Sequence, residues 1–424
     1  MASLSYEQGP PLSAPLRLFL AAPLFLMLAA SAGIVVAADW TGGRLTAAAL
    51  ALTHLLTLGY LGTVMQGALL QMLPVVLGAP VPRAEWVSRC GLYGLVSGSL
   101  LLAAGLFQGE PFMLTAAMAA LAVAWLPFLA GLGLALARAL SGGDMDWPLR
   151  LSGLALLATV VSGFALAGGL AGWWPLPDLA VWLNLHAGWG LFGWVAVLIV
   201  GVAYQVVPML QLTPAYPRRL SRTMAWLLPL GVAAYSLDQL AGWPFRGGAW
   251  LAGASGLAFG MATLSLLRRR RRRLADVTLD FWRLGMVSLA GSSGLFILLD
   301  ALPAAWQDKA ELSLGLLFLL GFAAAVVNGM LYKILPFLAW FHLQSQTGAR
   351  AGSIPNLREM IAEPAMRRHF RLHLGAVCLL VPAPWLPSGA ALPGLLLLLA
   401  SGQVLWLNLL AARRAFLAHG GRLG

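Results

Sequence analysis

Gly67-Ala68-Leu69-Leu70-Gln71-Met72-Leu73-Pro74 closes an apolar run that begins near residue 45, and its pattern returns twice. It reappears as Gly201-Val202-Ala203-Tyr204-Gln205-Val206-Val207-Pro208 and as Gly329-Met330-Leu331-Tyr332-Lys333-Ile334-Leu335-Pro336. Each copy reads glycine, three residues, Gln or Lys, two apolar residues, proline. The prolines lie 134 and 128 positions apart, and each interval holds four apolar runs. A polar residue and a proline at fixed offsets on every fourth run point to a threefold internal repeat, because both are costly in lipid unless helices pack around them.

Outward from these copies, the remainder of the 424 residues is equally apolar: 60% are hydrophobic and only 10% charged. Soluble domains carry ~25% charged residues, so an ordinary globular enzyme and a disordered chain are both excluded. A membrane-spanning helix needs ~20 apolar residues. Runs of that length are expected at 15–38, 45–77, 85–107, 111–138, 148–172, 179–212, 219–242, 246–267, 280–302, 311–341, 367–386 and 389–411. They lack two-residue alternation and are too long for barrel strands. The expected fold is an all-α polytopic membrane protein: twelve transmembrane helices in three pseudo-equivalent four-helix repeats, approximately 15–138, 148–267 and 280–411, forming one transmembrane domain.

Charge sets the orientation. With loops assigned alternately, one side collects 23 Arg, including the run from Arg268 to Arg273, while the other holds only Arg44, Arg246 and Lys309. The positive-inside rule then puts both termini in the cytoplasm, in a bacterial-type inner membrane. The net charge of +12 is therefore topological, and no nucleic-acid partner is expected. The first apolar run lacks a basic leader and a small-residue cleavage site, so it reads as a retained helix. Asp39, Glu110, Asp178, Asp238, Asp300, Asp308 and Glu311 give the outer side a mildly acidic rim. Such a rim is either scattered bias or a place to attract a basic redox or assembly partner or a cation.

Polar residues inside the spans are functional candidates by default. Gln71, Gln205 and Lys333 are expected as repeated polar sites at the inner helix ends, where Lys333 can also simply snorkel to water. His54 and His186 fall 20 and 22 residues before Pro74 and Pro208, in the outer third of their helices; the third copy has Leu314, Gly315 and Leu316 there instead. Neutral imidazole binds haem iron and copper. The competing reading is a histidine hydrogen-bonded to a neighbour such as Thr57 or Asn184. His342, His369, His373 and His419 read as peripheral. His369 and His373 have i, i+4 spacing but stand among Arg367, Arg368 and Arg371, which suits an interfacial turn better than a metal site. Met65, Met72, Met209 and Met330 read as either Cu(I) donors or core filler. Cys90 and Cys378 are isolated, which excludes disulfide frameworks and zinc ribbons.

Twelve spans in three four-helix arcs, with Thr53-His54-Leu55-Leu56-Thr57-Leu58-Gly59 in the second span and Asn184-Leu185-His186-Ala187-Gly188-Trp189-Gly190 in the sixth, resemble the haem–copper oxidase subunit I superfamily. The resemblance covers nearly the whole chain. It implies haem ligation by His54 and copper ligation by His186. Oxidase chemistry in that superfamily needs six histidine ligands, a His-Pro-Glu-Val-Tyr segment and a His-His pair; four of this chain's six histidines lie outside the required depth, and both segments are missing. It is more similar to a non-oxidase branch, the NnrS family of haem- and copper-containing membrane proteins linked to nitric oxide stress. The implied role is nitric oxide or respiratory stress handling, or respiratory assembly, without oxygen reduction and not clearly enzymatic. A cofactor-free transporter or a non-catalytic scaffold subunit remains the reading from a different class, since repeats and broken helices are also transporter features.

Overall fold

The computed structural model describes residues 9–139, 145–243, 246–271, 276–347, 356–357 and 359–423. Arg272, Arg273, Arg350 and Arg358, four of the charges that set the expected orientation, lie outside the described residues. Helices and short turns make up the fold, and no strand occurs among the described residues. Among the described residues, ten helices are long and apolar enough to cross a membrane. They are α1 (Ser13–Val35), α2 (Ala47–Leu77), α3 (Ala84–Gln108), α4 (Pro111–Arg138), α5 (Asp146–Leu170), α6 (Leu179–Gln211), α8 (Gly247–Arg268), α9 (Val277–Ala301), α10 (Ala304–Gln346) and α12 (Ser388–Ala418). Between them run α7 (Arg218–Ala241) and α11 (Glu363–Leu380), which are long enough to pack with the others but carry several arginines in their N-terminal halves. Consecutive helices pair antiparallel across short connections, with α3 on α4, α7 on α8, α8 on α9 and α11 on α12, while α1 closes against α12.

Three helices depart from regular α geometry in the same way. The middle of α2 (Leu55–Gly62), α6 (Gly188–Ala196) and α10 (Leu317–Ala324) is wound as π-helix. These segments begin 19, 20 and 19 residues before Pro74, Pro208 and Pro336. A π turn costs helical stability and is found mostly at functional sites, so three at one offset mark a shared local design. The same three helices surround the middle of the molecule. Met65 and Met72 of α2, Ile199 and Val202 of α6, and Met330 and Ile334 of α10 line an apolar cavity of about 70 Å³. A much larger cavity, about 530 Å³, lies beside their upper parts. Met65 and Met330 are therefore core filler around the small cavity, and Met209 is exposed.

Polar contacts tie the helix ends. At the end opposite the termini, Arg44 Nε donates to Glu311 at 2.6 Å and its Nη2 to Asn184 at 2.8 Å. Asn184 Nδ2 in turn donates to Gln239 Oε1 at 2.8 Å, and Arg246 pairs with Asp300. At the other end, Lys333 pairs with Asp276 at 2.8 Å and Arg17 with Glu85 at 3.0 Å. Burial of Asp276 opposes its ionisation, but the Lys333 ammonium and the Thr278 donors outweigh it and hold the carboxyl below its ordinary range. A depressed carboxylate stabilises the fold above its unfolded pKa of ~4 and loses that contribution as pH falls through the lower folded value. Asp276→Asn is therefore expected to cost at most ~1 kcal/mol near neutral pH. Scanning fluorimetry in detergent should show the gap from wild type narrowing below pH ~4; a gap of constant size in acid would refute the pairing.

Candidate cavity site

His54 ends the first α segment of α2 and His186 stands two residues before the π segment of α6, so both precede the altered winding. Both side chains line the 530 Å³ cavity. Their rings are nearly parallel, 17° between planes, with centroids 6.1 Å apart. These two histidines, 20 and 22 residues before Pro74 and Pro208 in the sequence, meet across one cavity.

The hydrogen bonds fix which nitrogen of each ring is free. His54 Nδ1–H donates to the Leu50 carbonyl at 2.8 Å, one turn back on its own helix. His186 Nδ1–H donates to the Thr159 carbonyl and approaches Ser162 Oγ, each at 3.1 Å. A carbonyl only accepts, so Nδ1 carries the proton in both rings. Each Nε2 then keeps a lone pair, and neither has a hydrogen-bond partner among the described residues. Thr57 and Asn184, the alternative partners read from the sequence, are otherwise engaged: Thr57 bonds the Thr53 carbonyl, and Asn184 bonds Arg44 and Gln239. Gly163 on α5 makes room for the second ring, since a Cβ there would lie 3.0 Å from His186 Cε1.

The rest of the cavity wall is apolar and aromatic, including Trp125, Phe164, Phe192 and Trp194, with Arg44, Gln239, Arg246 and Glu311 at the end opposite the termini. The Arg246 guanidinium lies over the rings of Tyr235 and Phe296, 5.9 and 5.7 Å from their centroids. Cavities of ~300–1,000 Å³ with few, convergent polar groups are the usual form of a cofactor or ligand site. Glu311 and Asp300, expected as part of an acidic outer rim, are instead neutralised by the two cavity arginines, and Asp238 accepts from the Gly248 amide.

The inner-end polar sites do not converge in this way. Gln71 is buried with its Oε1 unpartnered, Gln205 is half-buried, and Lys333 reaches Asp276 where snorkelling to water was the alternative. His369 and His373 correct the expectation of an interfacial turn: both are completely buried against Phe281 and Tyr332. The period of α11 explains this, because Arg368 and Arg371 project outward from the other side of the helix. No family model matches the chain, and no curated protein matches it.

Proposed function

We propose that this chain is an integral membrane haem protein of haem–copper oxidase-like fold, in the non-oxidase, NnrS-like branch, that holds one haem between His54 and His186. Its role on this reading is nitric oxide or respiratory stress handling, or respiratory assembly, not oxygen reduction. The observation that carries it is the pair of near-parallel imidazoles 6.1 Å apart. Two metal–nitrogen bonds of ~2.0 Å, plus ~1.1 Å from each nitrogen to its ring centre, separate the centroids by ~6.2 Å. The donor set favours a metal that brings its own equatorial ligands. Among the described residues no group of three or more His, Cys, Asp and Glu surrounds the pair. His54 and His186 would hold a porphyrin iron through their free Nε2 atoms, and the wide cavity would supply the space. The resemblance divides the histidines between iron and copper; the geometry favours a shared group.

Haem iron with two imidazole ligands exchanges single electrons. The chain's own residues perform the rest. The Leu50 and Thr159 carbonyls hold each Nδ1–H, fix the tautomer and raise the basicity of Nε2. The aromatic wall excludes water, and Arg246, though paired with Asp300, keeps its buried Nε–H without a partner as a donor for a carboxylate such a macrocycle carries. A visible spectrum of detergent-purified protein tests the reading through a Soret band. A colourless, metal-free protein would favour the cofactor-free transporter or scaffold.

The three π segments at one offset from the three prolines support the three-repeat architecture, with α7 and α11 completing twelve spans. The arginine asymmetry supports both termini on the cytoplasmic side of an inner membrane, with any redox or assembly partner meeting the outer face. A C-terminal green fluorescent protein fusion is expected to fluoresce and a C-terminal alkaline phosphatase fusion to be inactive. The reverse pattern would overturn the orientation.

A further inference from the structure

We propose that His369 and His373 on α11 bind one Cu(I) ion, at a site separate from the cavity and independent of the haem reading. Both side chains are fully buried. His373 Nε2–H donates to the Leu320 carbonyl at 3.0 Å, within the π segment of α10. His369 Nδ1 is 2.8 Å from the Tyr332 hydroxyl, which also accepts from Asn408 Nδ2 at 2.8 Å. The remaining nitrogens, His369 Nε2 and His373 Nδ1, are buried with no partner. Two orphaned polar atoms in an apolar interior cost several kcal/mol together, ~1–3 each, unless something fills the gap between them.

The geometry and the donor chemistry name the occupant. The ring centroids are 6.1 Å apart, against the ~6.2 Å expected when two imidazoles share one metal. Each ring has the outer support typical of a metal ligand. His373 donates to a carbonyl, and the Tyr332 oxygen has a second lone pair for His369 Nδ1–H. The donors are two neutral imidazoles with no carboxylate or thiolate beside them among the described residues. Zn(II) and Cu(II) require about four ligands, whereas closed-shell Cu(I) accepts two in a line. A single positive charge is also far cheaper to bury than a double one. Arg367 is occupied by Glu363 and Asp280, Arg368 and Arg371 face outward, and the Phe281 ring lies 5.2 and 6.0 Å from the two histidine rings.

Full-length protein purified in detergent and stripped of metal is titrated with Cu(I) against a chromogenic Cu(I) chelator. The His54→Ala/His186→Ala variant is expected to keep one tight Cu(I) per chain. Adding His369→Leu/His373→Leu to that variant is expected to remove it. Because leucine at two buried positions can impair folding, X-ray absorption on the copper-loaded His54→Ala/His186→Ala protein gives a second reading. Two nitrogen neighbours at ~2 Å are expected. No copper uptake by that protein, uptake unchanged by the α11 substitutions, or sulfur or four or more neighbours would overturn the site and leave a bridging water as the occupant.

Discussion

Replacing either His54 or His186 with alanine is expected to abolish the Soret band that the two-imidazole reading forecasts for the wild-type protein purified with haem available. The shared-ligand geometry demands that both substitutions act on one chromophore, since the two rings face the same cavity 6.1 Å apart. Loss of a group that merely supports a metal ligand costs ~10–100-fold in affinity, so loss of a ligand itself should cost at least that much. Either variant should then retain less than about a tenth of the wild-type haem. Folding is expected to survive, because both side chains are only partly buried and border the cavity. The division implied by family resemblance makes a different forecast: His186→Ala would keep the Soret band and lose copper. Full haem content in either variant would refute the shared site, and haem and copper analysis on the same samples separates the outcomes.

Much of this arrangement was legible from residue types alone. Hydropathy locates the long helices to within a few residues, because nothing but a helix satisfies its backbone in lipid. The recurrent Gly-x-x-x-Gln/Lys-x-x-Pro pattern picks out α2, α6 and α10, the helices that line both central cavities. Distance from the proline puts His54 and His186 at similar positions along their helices, but their facing one another across one cavity was not legible from it. Nor was the π winding. It shifts hydrogen bonding by one residue and leaves composition and periodicity nearly unchanged, and glycines stand in all three segments as they do in many ordinary spans.

Other features were hidden for different reasons. Arg44 meets Glu311 across 267 residues of sequence, so two isolated outer charges gave no sign that they cancel. His369 and His373 were masked by their neighbours: the arginines around them announce an aqueous interface, but α11 presents a charged side and a buried side within the same turns. Local charge density describes a stretch of chain, whereas burial depends on which side of the helix meets α9 and α10. Ring spacing supplies the one signal available there, since i, i+4 histidines necessarily share a helix face.

Gly163→Leu is expected to empty the cavity site without removing a ligand. Position 163 lies on α5 beside the sixth-helix imidazole, and even a bare Cβ there would stand 3.0 Å from His186 Cε1. That distance is tight for a methyl group, and the branched remainder of a leucine has to take the cavity volume in which the ring stands. The ring cannot simply withdraw, because Nδ1 is held by the Thr159 carbonyl and lies against Ser162 Oγ, both on the helix that carries the new side chain. It must either lose those contacts or turn its Nε2 away from His54. Misplacing a ligand leaves iron with one good axial bond, so haem content should fall several-fold, toward the level of His186→Ala. Gly163→Ala, which asks the ring to move by only a few tenths of an ångström, should fall between. Gly163 is partly exposed to the cavity, so the added bulk enters empty volume and the protein should remain monodisperse. Full haem content in a folded Gly163→Leu protein would mean that the position of His186 does not govern binding, and the two-imidazole site would fail with it.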